Sequence, residues 1–150
     1  MKPLIVLLTV FAVTLLTTKI FRGNYEWTLS GRIAMSVMLL FTAIGHFAFT
    51  KGMSLMIPEF IPFKTATVYL TGAVEIILAI GLQIPNYKIL TGWLLIIFLI
   101  LVLPANIYAS IKQIDYQKAT FDGNGLLYLW FRIPLQILFI VWTYFSVINK

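Results

Sequence analysis

Five polar side chains interrupt the apolar stretches of this sequence: His46, Glu75, Asn106, Arg132 and Gln136. A carboxyl and an imidazole are groups that exchange protons, while a guanidinium and two amides bind charged or hydrogen-bonding partners. Burying such groups in hydrocarbon is expensive, since an isolated charge there costs at least ~2.5 to 3.5 kcal/mol on insertion scales. We therefore take these five residues as the candidate ligand-binding set.

The composition places these groups in a membrane protein. Of the 150 residues, 61% are hydrophobic and 11% charged, whereas about a quarter of the residues in a soluble domain are charged. The absence of cysteine and the single histidine exclude disulfides, metal sites built from thiolates or several histidines, and haem ligand pairs. The net charge of +6 comes from scattered cations beside apolar stretches, which favours lipid head groups as partners over nucleic acid.

Five stretches approach the roughly 20 apolar residues that a helix needs to cross a bilayer. Lipid offers no partner to unpaired backbone groups, so we expect an all-α membrane bundle with five spans in one domain, residues 1–150. The stretches are Pro3–Phe21, Ile33–Phe49, Ala66–Leu82, Ile89–Ile111 and Leu126–Ile148. The first stretch could instead be a secretory signal, but no small-residue cleavage site follows it, and we expect a retained helix.

The connections between the stretches set the topology. They are Arg22–Arg32, Lys51–Thr65 (loop two), Gln83–Lys88 and Lys112–Gly125 (loop four). Five crossings place the chain termini on opposite sides of the membrane, and loops two and four on the same side. The positive-inside rule does not choose the orientation, because five cations fall on each side. These are Lys2, Lys51, Lys64, Lys112 and Lys118 on the side of loops two and four, and Lys19, Arg22, Arg32, Lys88 and Lys150 on the other.

The five polar residues share one half of the bilayer. Counted at ~1.5 Å per residue from the face of loops two and four, their depths run from about 6 Å for His46 to about 16 Å for Gln136. Glu75 and Arg132 are the only acid and the only strong base well inside the spans. We expect them within direct or one-water reach, with Gln136 and Asn106 as neutral partners around a pocket.

Other arrangements of these groups stay open. Arg132 can extend towards loop four and leave Glu75 protonated, or the two can form an ion pair that only fixes helix packing. His46 can be a hydrogen-bonded packing residue or a proton carrier.

Loop two is too apolar for an ordinary connection and too broken by prolines for a spanning helix. In one interpretation apolar side chains anchor it in the membrane interface: Met56, Ile57, Phe60 and Phe63. In the other, its Met and Phe side chains pack on the bundle mouth above His46. The loop is then a hydrophobic gate formed by Pro58, Glu59, Phe60 and Pro62.

Five short motifs, in order over residues 31–147, resemble the DoxX-like family of small bacterial membrane proteins. They are Gly45-His46-Phe47, Met56-Ile57-Pro58 with Ile61-Pro62, Thr71-Gly72-Ala73-Val74-Glu75, Pro104-Ala105-Asn106-Ile107 and Arg132-Ile133-Pro134-Leu135-Gln136. The resemblance implies a four-helix bundle over residues 31–148, with residues 3–21 as an additional N-terminal helix. It also implies an inner-membrane location, with loop two and the N-terminus outside and the 83–88 turn in the cytoplasm.

Three functions follow as hypotheses. The resemblance, together with the polar pocket, implies an accessory protein that binds a quinone or another amphipathic lipid and supports a redox or stress-response complex. Without cysteines or haem ligands the chain could hold a quinone but could not relay electrons through its own side chains. The alternatives are a lipid-modifying, isomerase-like enzyme in which Glu75 and His46 exchange protons with the substrate, and a purely structural membrane subunit.

Overall fold

The computed structural model describes residues 2–149, so Lys150, which enters the charge count above, lies outside the described residues. Within this range five helices are long and apolar enough to cross a membrane. They are α1 (Lys2–Arg22), α2 (Trp27–Ala48), α4 (Lys64–Gly81), α5 (Lys88–Ile111) and α6 (Leu126–Thr143), and a short helix, α3 (Thr50–Leu55), lies in loop two. A π-helical turn, Tyr144–Ile148, continues α6. The prediction of an all-helical chain with five membrane-length helices is confirmed.

The second helix begins earlier than the sequence predicts, at Trp27 instead of Ile33. Polar residues in its first turns lower the hydropathy there, although the backbone is helical. Gly31 explains why this end is ordered: a Cβ added to it would come within 2.8 Å of the Ser146 Cβ, so α2 and the end of α6 lie in close contact. The Trp142 indole also donates a hydrogen bond to the Gly31 carbonyl at 3.0 Å.

The N-terminal helix packs along α2 and reaches the end of α6. Leu7 is fully buried, although most of α1 is exposed. The Phe11 ring packs edge-on against Trp142, with the ring centroids 4.9 Å apart. The helix is therefore packed mainly against α2, through Leu7 and the partly buried Leu4, Val6, Val10 and Phe11.

Helices α2 and α4 approach closely because small residues lie at their interface, as is common between membrane helices. Gly72 of α4 faces His46, whose Cβ would be 2.9 Å from a Cβ added to the glycine. At the other end of the pair, the Gln83 amide donates to the Ser36 hydroxyl at 2.6 Å. That hydroxyl in turn donates to the Ala79 carbonyl at 2.9 Å. These contacts fix the register that places His46 opposite the middle of α4.

Loops two and four touch each other on one face of the bundle, as the topology predicts. Gly52 of α3 lies directly under loop four, since a Cβ added to it would overlap the Tyr116 carbonyl oxygen. Loop four is held in a tight turn by paired backbone hydrogen bonds between Asp115 and Thr120. This face therefore carries a layer of short, packed loops.

The two halves of loop two differ in how their side chains pack on the bundle. In the first half the Met53 side chain reaches Gly45, next to His46. In the second half Phe60 and Phe63 are each 83% exposed, so the expectation that they pack on the bundle mouth is wrong. The turn after Pro62 explains this, because Phe63 takes a left-handed backbone conformation (φ 56°) as α4 begins. Their outward position fits the interfacial anchor instead.

Candidate functional site

Four polar side chains meet between α2 and α4 and form what we call the α2–α4 cluster. Thr42 and His46 lie one turn apart on α2, and Thr71 and Glu75 lie one turn apart on α4, so each pair shares a helix face. The His46 Nε2 atom is 3.5 Å from the Glu75 Oε1 atom. The Thr42 hydroxyl donates to Glu75 Oε2 at 2.9 Å, and the Thr71 hydroxyl lies 3.0 Å from His46 Nδ1.

The hydroxyl of Thr71 restricts the protonation of the histidine. It lies 2.9 Å from the Val68 carbonyl and 3.1 Å from the Thr67 carbonyl. When its one hydrogen points to these acceptors, the hydroxyl can only accept from His46, and Nδ1 must carry a hydrogen. The Nε2 atom, which faces the Glu75 carboxyl, is then the ring position that can either carry or lack a second hydrogen.

The His46 and Glu75 side chains are largely buried but keep some exposed surface. The exposed fractions of the side chains are 17% for His46 and 11% for Glu75. The distance of 3.5 Å between them exceeds the 2.7 to 3.2 Å of a well-formed N–H···O bond, so both atoms keep some capacity to bind a third group.

A second polar group lies between α5 and α6. The Tyr128 hydroxyl donates to Asn106 Oδ1 at 3.4 Å, and the Asn106 amide donates to the Val102 carbonyl at 3.2 Å. The Gln136 amide donates to the Leu99 carbonyl, near the proline that interrupts α5. These contacts satisfy backbone and side-chain groups of the two helices, and we call them the α5–α6 cluster.

The expected direct ion pair between Glu75 and Arg132 does not form. Among residues 2–149 the ion-pair partner of Glu75 is His46, and the Nε of Arg132 is buried without a hydrogen-bond partner. Arg132 follows Tyr128 by one turn on α6, which places it beside the α5–α6 cluster. The depth count was a poor guide because it gives a position along a helix axis and not the direction in which the side chain points.

The structure thus divides the five predicted residues between two interfaces. His46 and Glu75 come together, while Asn106, Arg132 and Gln136 lie on α5 and α6. Sequence reasoning missed Thr42, Thr71 and Tyr128. The two threonines were detectable, because each stands four residues before His46 or Glu75, on the same helix face.

Grooves indent the surface of the described residues, and two of them bear on the candidate residues. One, of about 660 Å³, lies between residues 58–60 of loop two and the last two turns of α5. It includes three of the four predicted gate residues, Pro58, Glu59 and Phe60, while Pro62 lies outside it. The other, of about 270 Å³, lies between α1, α2 and the end of α6. None of the five predicted ligand-binding residues lines either groove.

The fold and the polar interfaces define a multi-pass α-helical membrane protein. The chain belongs to the family described as a domain of unknown function, DUF8561, which it matches over residues 35–147. The match begins within α2 and runs to the end of α6, so both polar clusters lie inside it and α1 lies outside. Searches among curated proteins and among solved structures found no match.

Proposed function

We propose that this protein is an accessory protein of the bacterial inner membrane, similar to the DoxX-like proteins. It binds a quinone or another amphipathic lipid at the α2–α4 cluster, and it supports a redox or stress-response complex. The observation that carries the proposal is the contact between His46 and Glu75, a base and an acid that face each other between two membrane-length helices. The motifs that resemble the DoxX-like proteins contribute both residues.

The side chains present fit a quinone head group. Its carbonyl oxygens accept hydrogen bonds, and its reduced form carries hydroxyl groups that donate them. The His46 Nε2 atom can donate to a carbonyl, and the Glu75 carboxylate can accept from a hydroxyl. Both atoms keep this capacity because they are 3.5 Å apart and incompletely buried. When bound, a quinone would supply coupled electron and proton transfer; the chain's own residues orient the head group and hold the proton.

Thr42 and Thr71 can hydrogen-bond to the His46–Glu75 pair in either of its protonation states. The Thr42 hydroxyl can donate to the ionised Glu75 carboxylate, or donate to the Leu39 carbonyl at 3.0 Å and accept from the protonated acid. Thr71 holds the His46 ring through Nδ1 and so directs Nε2 at the acid. A proton can therefore move between the two groups without breaking the cluster.

A second candidate function is lipid isomerisation. It is favoured by the same facing acid and base, because moving a double bond along a chain requires removing a proton at one carbon and returning it at another. In this alternative His46 and Glu75 contact the reacting carbons instead of a quinone head group. A changed double-bond position in a lipid incubated with the purified protein would distinguish it from simple binding.

Binding of a short-chain ubiquinone analogue to the full-length protein in nanodiscs, measured by calorimetry, tests the proposal. Removing one hydrogen bond to a charged group costs roughly 1.5 kcal/mol or more, so Glu75→Gln should weaken binding by about tenfold. Arg132→Gln, a change of similar depth in the other cluster, is the control and should leave binding unchanged. No binding by the unmodified protein, or equal weakening by the two variants, would contradict the proposal.

A further inference from the structure

The larger groove has an amphipathic form, and we call it the loop-two groove. One wall is residues 58–60 of loop two, and the other is the end of α5. Lys112 is the C-cap of α5, and Pro104 lies eight residues earlier, about 12 Å further along the helix. Ile107 and Ile111 line the wall between them. The groove therefore runs from a polar mouth into an apolar depth, and its volume of about 660 Å³ is within the range of ligand pockets.

Two opposite charges line this groove from its two walls. Glu59 lies on the loop and Lys112 on the helix, and they do not form an ion pair with each other among the described residues. The Lys112 ammonium lies 5.9 Å from the centre of the Tyr108 ring, which also lines the groove. A ligand that carries both an anion and a cation would complement the mouth, and an alkyl chain would complement the apolar wall below it.

We propose that the loop-two groove binds an aminophospholipid of the surrounding membrane. Lys112 contacts the phosphate, Glu59 accepts hydrogen bonds from the primary ammonium group, and one acyl chain lies along Ile111, Ile107 and Pro104. A phospholipid with a net negative charge fits less well, because Glu59 repels it. A quaternary ammonium lipid also fits less well, because it has no N–H group to donate. This site is separate from the α2–α4 cluster and does not depend on the function proposed above.

Native mass spectrometry of the detergent-purified protein tests the proposal, with phosphatidylethanolamine and phosphatidylglycerol added in turn. The unmodified protein should retain phosphatidylethanolamine preferentially. Glu59→Gln should remove that preference, while Lys112→Gln should weaken retention of both lipids about fivefold, the factor expected for one cation near a membrane surface. Both positions are at the surface of the fold, and circular dichroism of each variant checks that the helices are retained.

Lys51→Gln is the matched control, since Lys51 is an exposed cation of α3 that does not line the groove. It should leave retention of both lipids unchanged. Equal retention of the two lipids by the unmodified protein would overturn the proposal. So would an equal effect of Lys51→Gln and Lys112→Gln, because that would indicate general attraction to phosphate.

Discussion

Removing Glu75 should destabilise the protein through His46 and not through Arg132. The two atoms of the His46–Glu75 contact are 3.5 Å apart and both side chains are largely buried. Coupling energies for polar pairs inside membrane proteins average ~0.6 kcal/mol and reach ~1.7 kcal/mol. Each member of this pair also has a threonine partner, so we expect a coupling within that range. Glu75 and Arg132 have no such contact, and changes at separate sites add to within ~0.3 to 0.5 kcal/mol.

A double-mutant cycle measures this difference. The variants are Glu75→Gln, His46→Gln, Arg132→Gln and the two double changes that include Glu75→Gln. Reversible unfolding in mixed micelles, followed by circular dichroism, gives the free energy of unfolding of each. The Glu75→Gln and His46→Gln double change should cost less than the sum of the single changes, whereas the effects of Glu75→Gln and Arg132→Gln should add. Coupling between Glu75 and Arg132 that exceeds the coupling to His46 would refute the reasoning.

Three further predictions concern the helix interface, loop four and the topology. Gly72→Ala should destabilise the fold by ~1 to 3 kcal/mol in the same unfolding assay, because its methyl group meets the His46 Cβ at 2.9 Å. Gly45→Ala, which meets only a flexible methionine end at 3.5 Å, should be tolerated. The Thr120 hydroxyl donates to Asp122 and lowers the pKa of that carboxyl from its ordinary 3.8. The ionised Asp122 carboxylate should therefore stabilise loop four fully at pH values above 3.8. This stabilisation should be lost as the pH falls through the lowered pKa of Asp122. An NMR titration should show that Thr120→Val returns the Asp122 midpoint towards 3.8, and an unchanged midpoint would contradict this. Reporters fused to the two ends of the chain should lie on opposite sides of the membrane; two reporters on the same side would exclude five spans.

The helices could be predicted from the sequence because hydrocarbon leaves the backbone little choice. An apolar run near 20 residues must satisfy its own hydrogen bonds, and a helix does so within one segment. The start of α2 could not be predicted in this way. Its first turns are ordered by contacts with distant residues, such as Gly31 against Ser146, and hydropathy does not report those contacts.

The sequence gives the position of each candidate residue along its helix, but it does not give the pairing between helices. Residues on one helix face can be found from spacing, as Thr42 with His46 and Thr71 with Glu75 show. Which helix a face meets depends on close approach, and here Gly72 provides it by letting α2 contact α4. The expectation that Glu75 pairs with Arg132 did not take into account which helices come close enough for their side chains to meet.

Nuclear magnetic resonance of the His46 ring tests the central claim most directly. His46 is the only histidine in the chain, so labelling histidine with nitrogen-15 reports this one site in the intact protein in nanodiscs. We expect the ring nitrogen signals to shift when a short-chain ubiquinone analogue is added. In Glu75→Gln the shift should require about tenfold more analogue, and in Arg132→Gln its midpoint should be unchanged. Ring signals that stay unchanged at saturating analogue would contradict a quinone site at the α2–α4 cluster.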